Sequence, residues 1–268
     1  MQNEKTLRWP DSIRGINDLP ESARLSIYHT LLPEWIFPAF GIDPVTHTVR
    51  GIRVIHVRCP SGSSSVEVSI YNAPESTEPT LYLHMGDSFN SQLVVFLVVI
   101  NDPASPRYNV DRDEDGRPNQ LGTERRNIPE EIRAMQAGLA PGQVRRGLRV
   151  FRSMLPVFEK FVQNMGHALF FIEPLFYHNA IIFERYGFSY SQGLQMMKTI
   201  HREFLPGGCL HKKLTGETPF RSPDAWRTVT GRSWAIHDGI LGRPFTGIQM
   251  YKRVGYDAHV ETFPGAVW

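Results

Sequence analysis

The run Leu93–Ile100 constrains the fold most strongly, because all eight of its residues are apolar. Eight residues are far too few to cross a bilayer, and they match a buried strand. A strand without polar positions is typical of one whose two faces are both covered. We therefore expect an interior strand in a sheet that carries helices.

The flanking patterns predict a mixed fold. Alternating or β-branched runs predict strands at Ile52–Arg58, Val66–Tyr71, Thr80–Met85, His167–Ile172, Ser233–Ile236 and Thr246–Lys252. Helical spacing predicts helices at Pro20–Phe37 (kinked or divided at Pro33), Ile128–Gly138, Gly147–Asn164, Asn179–Tyr186 and Gln192–Phe204. We expect an α/β (α+β) protein with a mixed, mostly antiparallel central sheet flanked by helices, an N-terminal helix and a C-terminal extension.

Composition narrows the classes of partner and location. Hydrophobic residues make up 41% and charged residues 21% of the 268 residues, which suits a globular protein. A net charge of +2 argues against a nucleic-acid partner. The polar start of the chain carries no apolar secretory segment, and two distant cysteines, Cys59 and Cys209, do not form a disulfide framework. We expect a cytoplasmic protein without a membrane span.

A basic loop precedes the predicted helix at Gly147–Asn164. It contains Pro141 and Gly142, and four arginines crowd its end: Arg145, Arg146, Arg149 and Arg152. Arginines are unfavourable at the positive end of a helix dipole, and a bound anion would relieve that cost. A phosphate site is one interpretation, and a solvated basic patch is the other.

The stretch from Ala140 to Phe188 resembles the acyl-CoA-binding half of the GNAT acyltransferase superfamily. The succession is a loop, a helix, the strand His167–Ile172, and a short helix ending in Phe183-Glu184-Arg185-Tyr186-Gly187-Phe188. Pro174, His178 and Phe183 are similar to the branch of N-acyl amino acid synthases and acyl-homoserine-lactone synthases. The resemblance implies a GNAT-like domain over residues 1–205, with residues 206–268 as a loop-rich extension packed on it.

The resemblance also implies a function and a site. The function is transfer of an acyl group from a CoA or acyl-carrier-protein thioester to an amine or hydroxyl of a small-molecule acceptor. The pantetheine arm would lie in a gap between two splayed parallel strands. The pyrophosphate would contact backbone N–H groups of Gln143, Val144, Arg145, Arg146, Gly147 and Leu148. The candidate catalytic residues are Tyr177 and His178.

Three departures from the family pattern leave an alternative open. Val144 and Arg149 replace usual loop residues, and Phe183 stands where a tyrosine often protonates the leaving thiolate. These residues favour a carrier-protein donor, or a GNAT-like protein without transferase activity. Such a protein would bind a thioester or another ligand, regulate, or catalyse another thioester reaction.

A second motif lies in the connection before residue 120. Asp111, Asp113 and Asp115 precede Gly116 in the spacing of a calcium loop, but position twelve is Gly122 rather than glutamate. We expect a solvated turn and no metal, with a calcium site at the three aspartates as the alternative. Neither the acceptor nor the oligomeric state follows from the sequence.

Overall fold

The structure is a computed structural model that describes residues 9–119 and 125–268. The chain divides into two compact units, each built from separate segments. Unit 1 contains the residues up to Pro103, Gly147–Ile172 and Lys252–Tyr256. Unit 2 contains Ala104–Arg146, Glu173–Tyr251 and Asp257–Trp268. The predicted boundary after residue 205 falls inside unit 2, and that division of the chain stays a prediction.

Unit 1 holds most of the strands. They are β1 (Thr48–Val49), β2 (Ile52–Arg53), β3 (Ile55–Arg58), β4 (Ser65–Ile70), β5 (Leu81–Asp87), β6 (Leu93–Ile100) and β7 (Leu169–Ile172). Strands β3 to β7 lie side by side in chain order. The first three neighbouring pairs are antiparallel, and β6 and β7 are parallel. The predicted mixed, mostly antiparallel sheet is confirmed.

The helices of unit 1 pack on this sheet. They are α1 (Ile13–Asn17), α2 (Glu21–His29), α3 (Ile36–Phe40) and α5 (Phe151–Asn164). On α5, the ring of Phe158 lies 4.8 Å from that of Phe170 in β7, and Phe161 is buried against Tyr28 of α2. Pro20 precedes α2 and Pro33 separates α2 from α3, so the predicted N-terminal helix is divided where its second proline stands.

Unit 2 is mainly helical. Its helices are α4 (Ile128–Gln136), α6 (Tyr177–Arg185), α7 (Leu194–Phe204), α8 (Cys209–Lys212) and α9 (Val229–His237). Strand β8 (Ser189–Gln192) pairs antiparallel with the part of β9 (Gln249–Arg253) that lies in this unit. Trp234 of α9 is buried, stacks on Phe220, and donates its indole N–H to the carbonyl of Leu139 at 2.8 Å.

The predicted strand at Ser233–Ile236 is wrong, because these residues belong to α9. The hydroxyl of Thr228 caps this helix by accepting from the N–H of Gly231 at 2.9 Å. All four residues of the predicted strand are buried, so the segment shows no polar face to mark a helix. A short apolar run fits a buried helix and a buried strand equally well.

The helix that follows the basic loop begins later than predicted. We expected it to start at Gly147, whereas α5 starts at Phe151. Arg149 has φ +58°, a left-handed conformation that does not continue a right-handed helix. Residues 143–148 therefore lie in a non-helical segment before α5.

Candidate functional site

The parallel pairing of β6 with β7 in unit 1 is short, because β7 ends at Ile172, opposite Val95. Their register contains only Val94 opposite Phe171 and Val95 opposite Ile172, at the start of β6 and the end of β7. Leu93 and Val95 are buried, whereas Phe96 is exposed and the last four residues of β6 are half-buried. The expectation that both faces of this strand are covered along its whole length is therefore wrong for its second half.

A β-bulge in β6 follows the last residue that pairs with β7. His84 of β5 pairs with Leu97, and the next residue, Met85, pairs with Val95, so Phe96 is the extra residue of β6. A bulge leaves the extra residue unpaired and bends its strand. The bulge thus re-aims the second half of β6 immediately after its last pair with β7.

Gly147 lies against the end of the same strand. A Cβ on this glycine would stand 3.2 Å from the carbonyl oxygen of Ile100, which is closer than ordinary packing. Gly147 is not among the glycines with positive φ, so its requirement is for space rather than for an unusual backbone. The segment leading to α5 therefore passes close to the end of β6.

The rest of the predicted loop, Gln143–Arg146, belongs to unit 2 and is partly engaged there. The N–H of Gln143 donates to the carbonyl of Ala140, and the N–H of Arg146 donates to the hydroxyl of Ser105 at 3.2 Å. The carbonyl of Val144 accepts from Tyr108. Two of the N–H groups expected to meet a pyrophosphate are thus already used within the protein.

The start of α5 lacks compensation for its dipole. Val150 provides no side-chain cap, and the first turn contains no acidic residue. Arg149 and Arg152 are exposed beside this turn. The first N–H groups of a helix carry a partial positive charge, so this end of α5 favours a negatively charged group.

The predicted catalytic pair lies at the start of α6 in unit 2, and both side chains are buried. His178 is 2% exposed, with Nδ1 2.9 Å from the Ser233 hydroxyl and Nε2 3.2 Å from the Asn179 amide nitrogen. Since the amide nitrogen can only donate, Nε2 accepts and Nδ1 carries the proton given to Ser233. Burial, with His237 nearby, lowers the pKa of His178 to about 3. His178 is therefore neutral at physiological pH.

Tyr177 is 1% exposed, and its hydroxyl makes no hydrogen bond among the described residues. Burial raises the pKa of Tyr177 to about 12, while the nearby Arg232 guanidinium opposes the rise and the Glu184 carboxylate adds to it. A phenol with this pKa is protonated at neutral pH and can donate a proton, but it has no direct access to solvent.

A buried carboxylate and a buried cation flank Tyr177, and sequence reasoning assigned neither a role. Glu184 accepts from the Tyr190 hydroxyl and from both the N–H and the hydroxyl of Thr262, and burial raises its pKa. Glu184 stands within the motif that carried the resemblance, but its partner Thr262 is 78 residues away. No local spacing signals such a contact.

The cation is Arg232, which is 1% exposed. Its Nε donates to the carbonyl of Trp226 at 2.6 Å, and Nη1 lies 3.0 Å from Nδ1 of His201. The guanidinium stacks on the Phe263 ring at 3.6 Å. Among the described residues it forms no ion pair with a carboxylate, so aromatic and neutral polar groups hold this charge.

Phe183 has a packing role. It is buried and its ring lies 5.1 Å from that of Phe188. Phe183, which stands where the resemblance implies a tyrosine, therefore contributes to the core of unit 2.

Two of the three aspartates in the loop before Gly116 are bonded within the protein. Asp111 pairs with Arg107 at 2.8 Å, and Asp113 accepts from the N–H groups of Asp115 and Arg117. Within 9–119 and 125–268, no three His, Cys, Asp or Glu side chains are grouped to hold a metal ion. The calcium alternative at Asp111, Asp113 and Asp115 is thus not supported by their geometry.

No helix in the described part of the chain is both long and apolar enough to cross a membrane.

Comparison with known proteins identified no relative of this chain. No family model, curated protein or solved structure matches the chain.

Proposed function

We propose that this protein is an acyltransferase that takes an acyl group from a CoA or acyl-carrier-protein thioester. The acceptor is an amine or hydroxyl of a small molecule. The observation that carries the proposal is that the pairing of β6 with β7 stops at Val95, beside the bulge, while the apolar second half of β6 continues half-buried. An extended pantetheine arm would lie beside this part of β6.

The proposed acyl transfer depends on how the protein positions the acceptor and the thioester. The acceptor nitrogen or oxygen attacks the thioester carbonyl, the C–S bond breaks, and the thiolate leaves and takes up a proton. A backbone N–H of β6 next to Phe96 would hold the negative charge that develops on the carbonyl oxygen. Placing the two reactants side by side supplies much of the rate enhancement.

The phosphate end of the donor would lie beside Gly147, Leu148 and the start of α5. The uncompensated helix dipole and the exposed Arg149 and Arg152 favour an anion there. The close approach of Gly147 to Ile100 joins this end to the end of β6. Phosphate site and acyl site would thus share one strand.

A second candidate is a protein that binds a thioester, or performs another reaction on it, without transfer. The burial of Tyr177 and His178 favours this alternative, because neither side chain reaches solvent. Their roles as acid and base remain predictions. Acyl transfer to an added amine distinguishes the two candidates, since both require donor binding but only the first forms product.

Substitution of Gly147 tests the donor site. Gly147→Asp adds bulk near the Ile100 carbonyl and a negative charge beside the arginines, so we expect loss of acyl-CoA binding in titration calorimetry. The exposed position and ordinary backbone of Gly147 predict that the variant folds.

The matched control is Gln163→Glu, which adds the same charge at the exposed far end of α5. We expect it to bind the donor like the parent protein. Equal affinities for the parent protein and a folded Gly147→Asp variant would overturn the proposed site.

A further inference from the structure

The outermost strand of the unit 1 sheet, β3, pairs with a strand of the described residues on one side only. Asp87 donates its N–H to Ser64, and Tyr71 donates its N–H to Val54. In an antiparallel pair, hydrogen-bonded residues recur at every second position. Together with the register of β3 and β4, these bonds therefore direct the backbone N–H and C=O groups of His56 and Arg58 toward β4. The N–H and C=O groups of Val57 therefore point away from β4, toward the other side of β3.

A cavity of about 300 Å³ lies between α2 and the end of this edge strand. The helix contributes Glu21, Arg24 and Leu25 to its lining, and the strand and following turn contribute residues 57–60. Leu25, Val57 and Pro60 make part of the wall apolar. The cavity therefore offers strand backbone, apolar surface and charge within one groove.

On the helix side of this groove, the guanidinium group of Arg24 makes an incomplete set of hydrogen bonds. Nη1 of Arg24 donates to the Asn17 carbonyl at 3.1 Å, and Nε, which is buried, has no hydrogen-bond partner among the described residues. Arg24 forms no ion pair with a carboxylate in the described part of the chain. Arg58, on the other wall, is exposed and reaches Glu67 at only 3.3 Å. Both side chains line the cavity, and a guanidinium can donate to the carboxylate of a ligand.

We propose that the groove between α2 and β3 binds a short extended peptide that carries an acidic side chain. The peptide backbone pairs with Val57 as an added strand, and its carboxylate bonds Arg24. Strand addition supplies affinity through main-chain hydrogen bonds, and the flanking pocket supplies side-chain preference. This site lies at β3, three strands away from β6 in the sheet, and does not depend on the acyltransferase proposal.

Fluorescence anisotropy with three labelled peptides tests the proposal. The probes are Gly-Val-Val-X-Val-Gly amides in which X is Asp, Asn or Lys. We expect the Asp peptide to bind more tightly than the Asn peptide by roughly tenfold, the effect of a charge-assisted hydrogen bond, and the Lys peptide to bind weakest. A version of the Asp peptide with N-methylated valines loses main-chain donors and should bind far more weakly.

Substitutions in the protein test whether Arg24 contacts the carboxylate of the peptide. Arg24→Gln should weaken the Asp peptide by roughly tenfold and leave the Asn peptide unchanged. The control is Arg50→Gln, which removes an exposed arginine paired with Glu75, outside the groove lining. The proposal is overturned if the Asp peptide shows no saturable binding up to about 1 mM. It is equally overturned if N-methylation has no effect, or if a folded Arg24→Gln variant binds all three peptides like the parent protein.

Discussion

At the scale of single residues, burial decides what the predicted catalytic pair can do. The sequence placed Tyr177 and His178 in a loop beside a donor site, whereas they form the first turn of α6 and are nearly inaccessible. The partner of His178 is Ser233, which is 55 residues away. Local patterns do not report contacts of this separation, so neither the burial nor the tautomer could be predicted.

The neutral state of His178 predicts acid sensitivity. Its pKa of about 3 in the folded protein lies below its ordinary value of 6.5, so the unfolded chain binds the proton first. The contribution of His178 to stability is complete above pH 6.5 and declines as the pH falls toward 3. Between pH 6.5 and 5 the loss is about 2 kcal/mol.

Urea unfolding measured from pH 5 to 8 checks this prediction. His178→Asn should lower stability at pH 8 and reduce the dependence of stability on pH. Burial also lowers the pKa of His29, His47 and His201, so part of the slope should persist. An unchanged slope in His178→Asn would contradict the account.

At the scale of elements, strands with a distinct pattern were predictable and those without it were not. Alternating apolar and polar residues, rich in β-branched types, indicated β3 and β4. The apolar run Leu93–Ile100 forms β6 with the bounds that the sequence predicted. Strand β8, with the sequence Ser-Tyr-Ser-Gln, is polar and forms through its pairing with β9. The late start of α5 depends on the backbone of Arg149, which residue type alone does not indicate.

Helix α5 contains an internal proline with a predictable cost. Pro156 lies within Phe151–Asn164 and is exposed, so it removes one backbone hydrogen bond without filling the core. Pro156→Ala should stabilise the protein by up to about 3 kcal/mol.

The matched control is Pro129→Ala, because Pro129 stands in the first turn of α4, where proline is well suited. We expect no gain from that change in the same urea titration. Equal effects of the two substitutions would show that the position of Pro156 inside the helix is not what matters.

At the scale of the whole molecule, the sequence predicted the fold class but not the division of the chain. The strands before residue 101 and the segment 147–172 belong to one unit, and the connection 104–146 belongs to the other. The basic loop therefore contains a boundary between the units: Arg146 belongs to unit 2 and Gly147 to unit 1. Its arginines were evident from the sequence, whereas the close approach of Gly147 to the end of β6 required the structure.

Thermal unfolding with added donor tests the central claim most directly. The protein would be melted in buffer alone and with free CoA, acetyl-CoA, a long-chain acyl-CoA and an acyl-carrier protein. A donor at about 100 times its dissociation constant stabilises the fold by about 2.7 kcal/mol. The account predicts a rise in Tm with at least one thioester donor and none with that donor in Gly147→Asp. An unchanged Tm with every donor would contradict it.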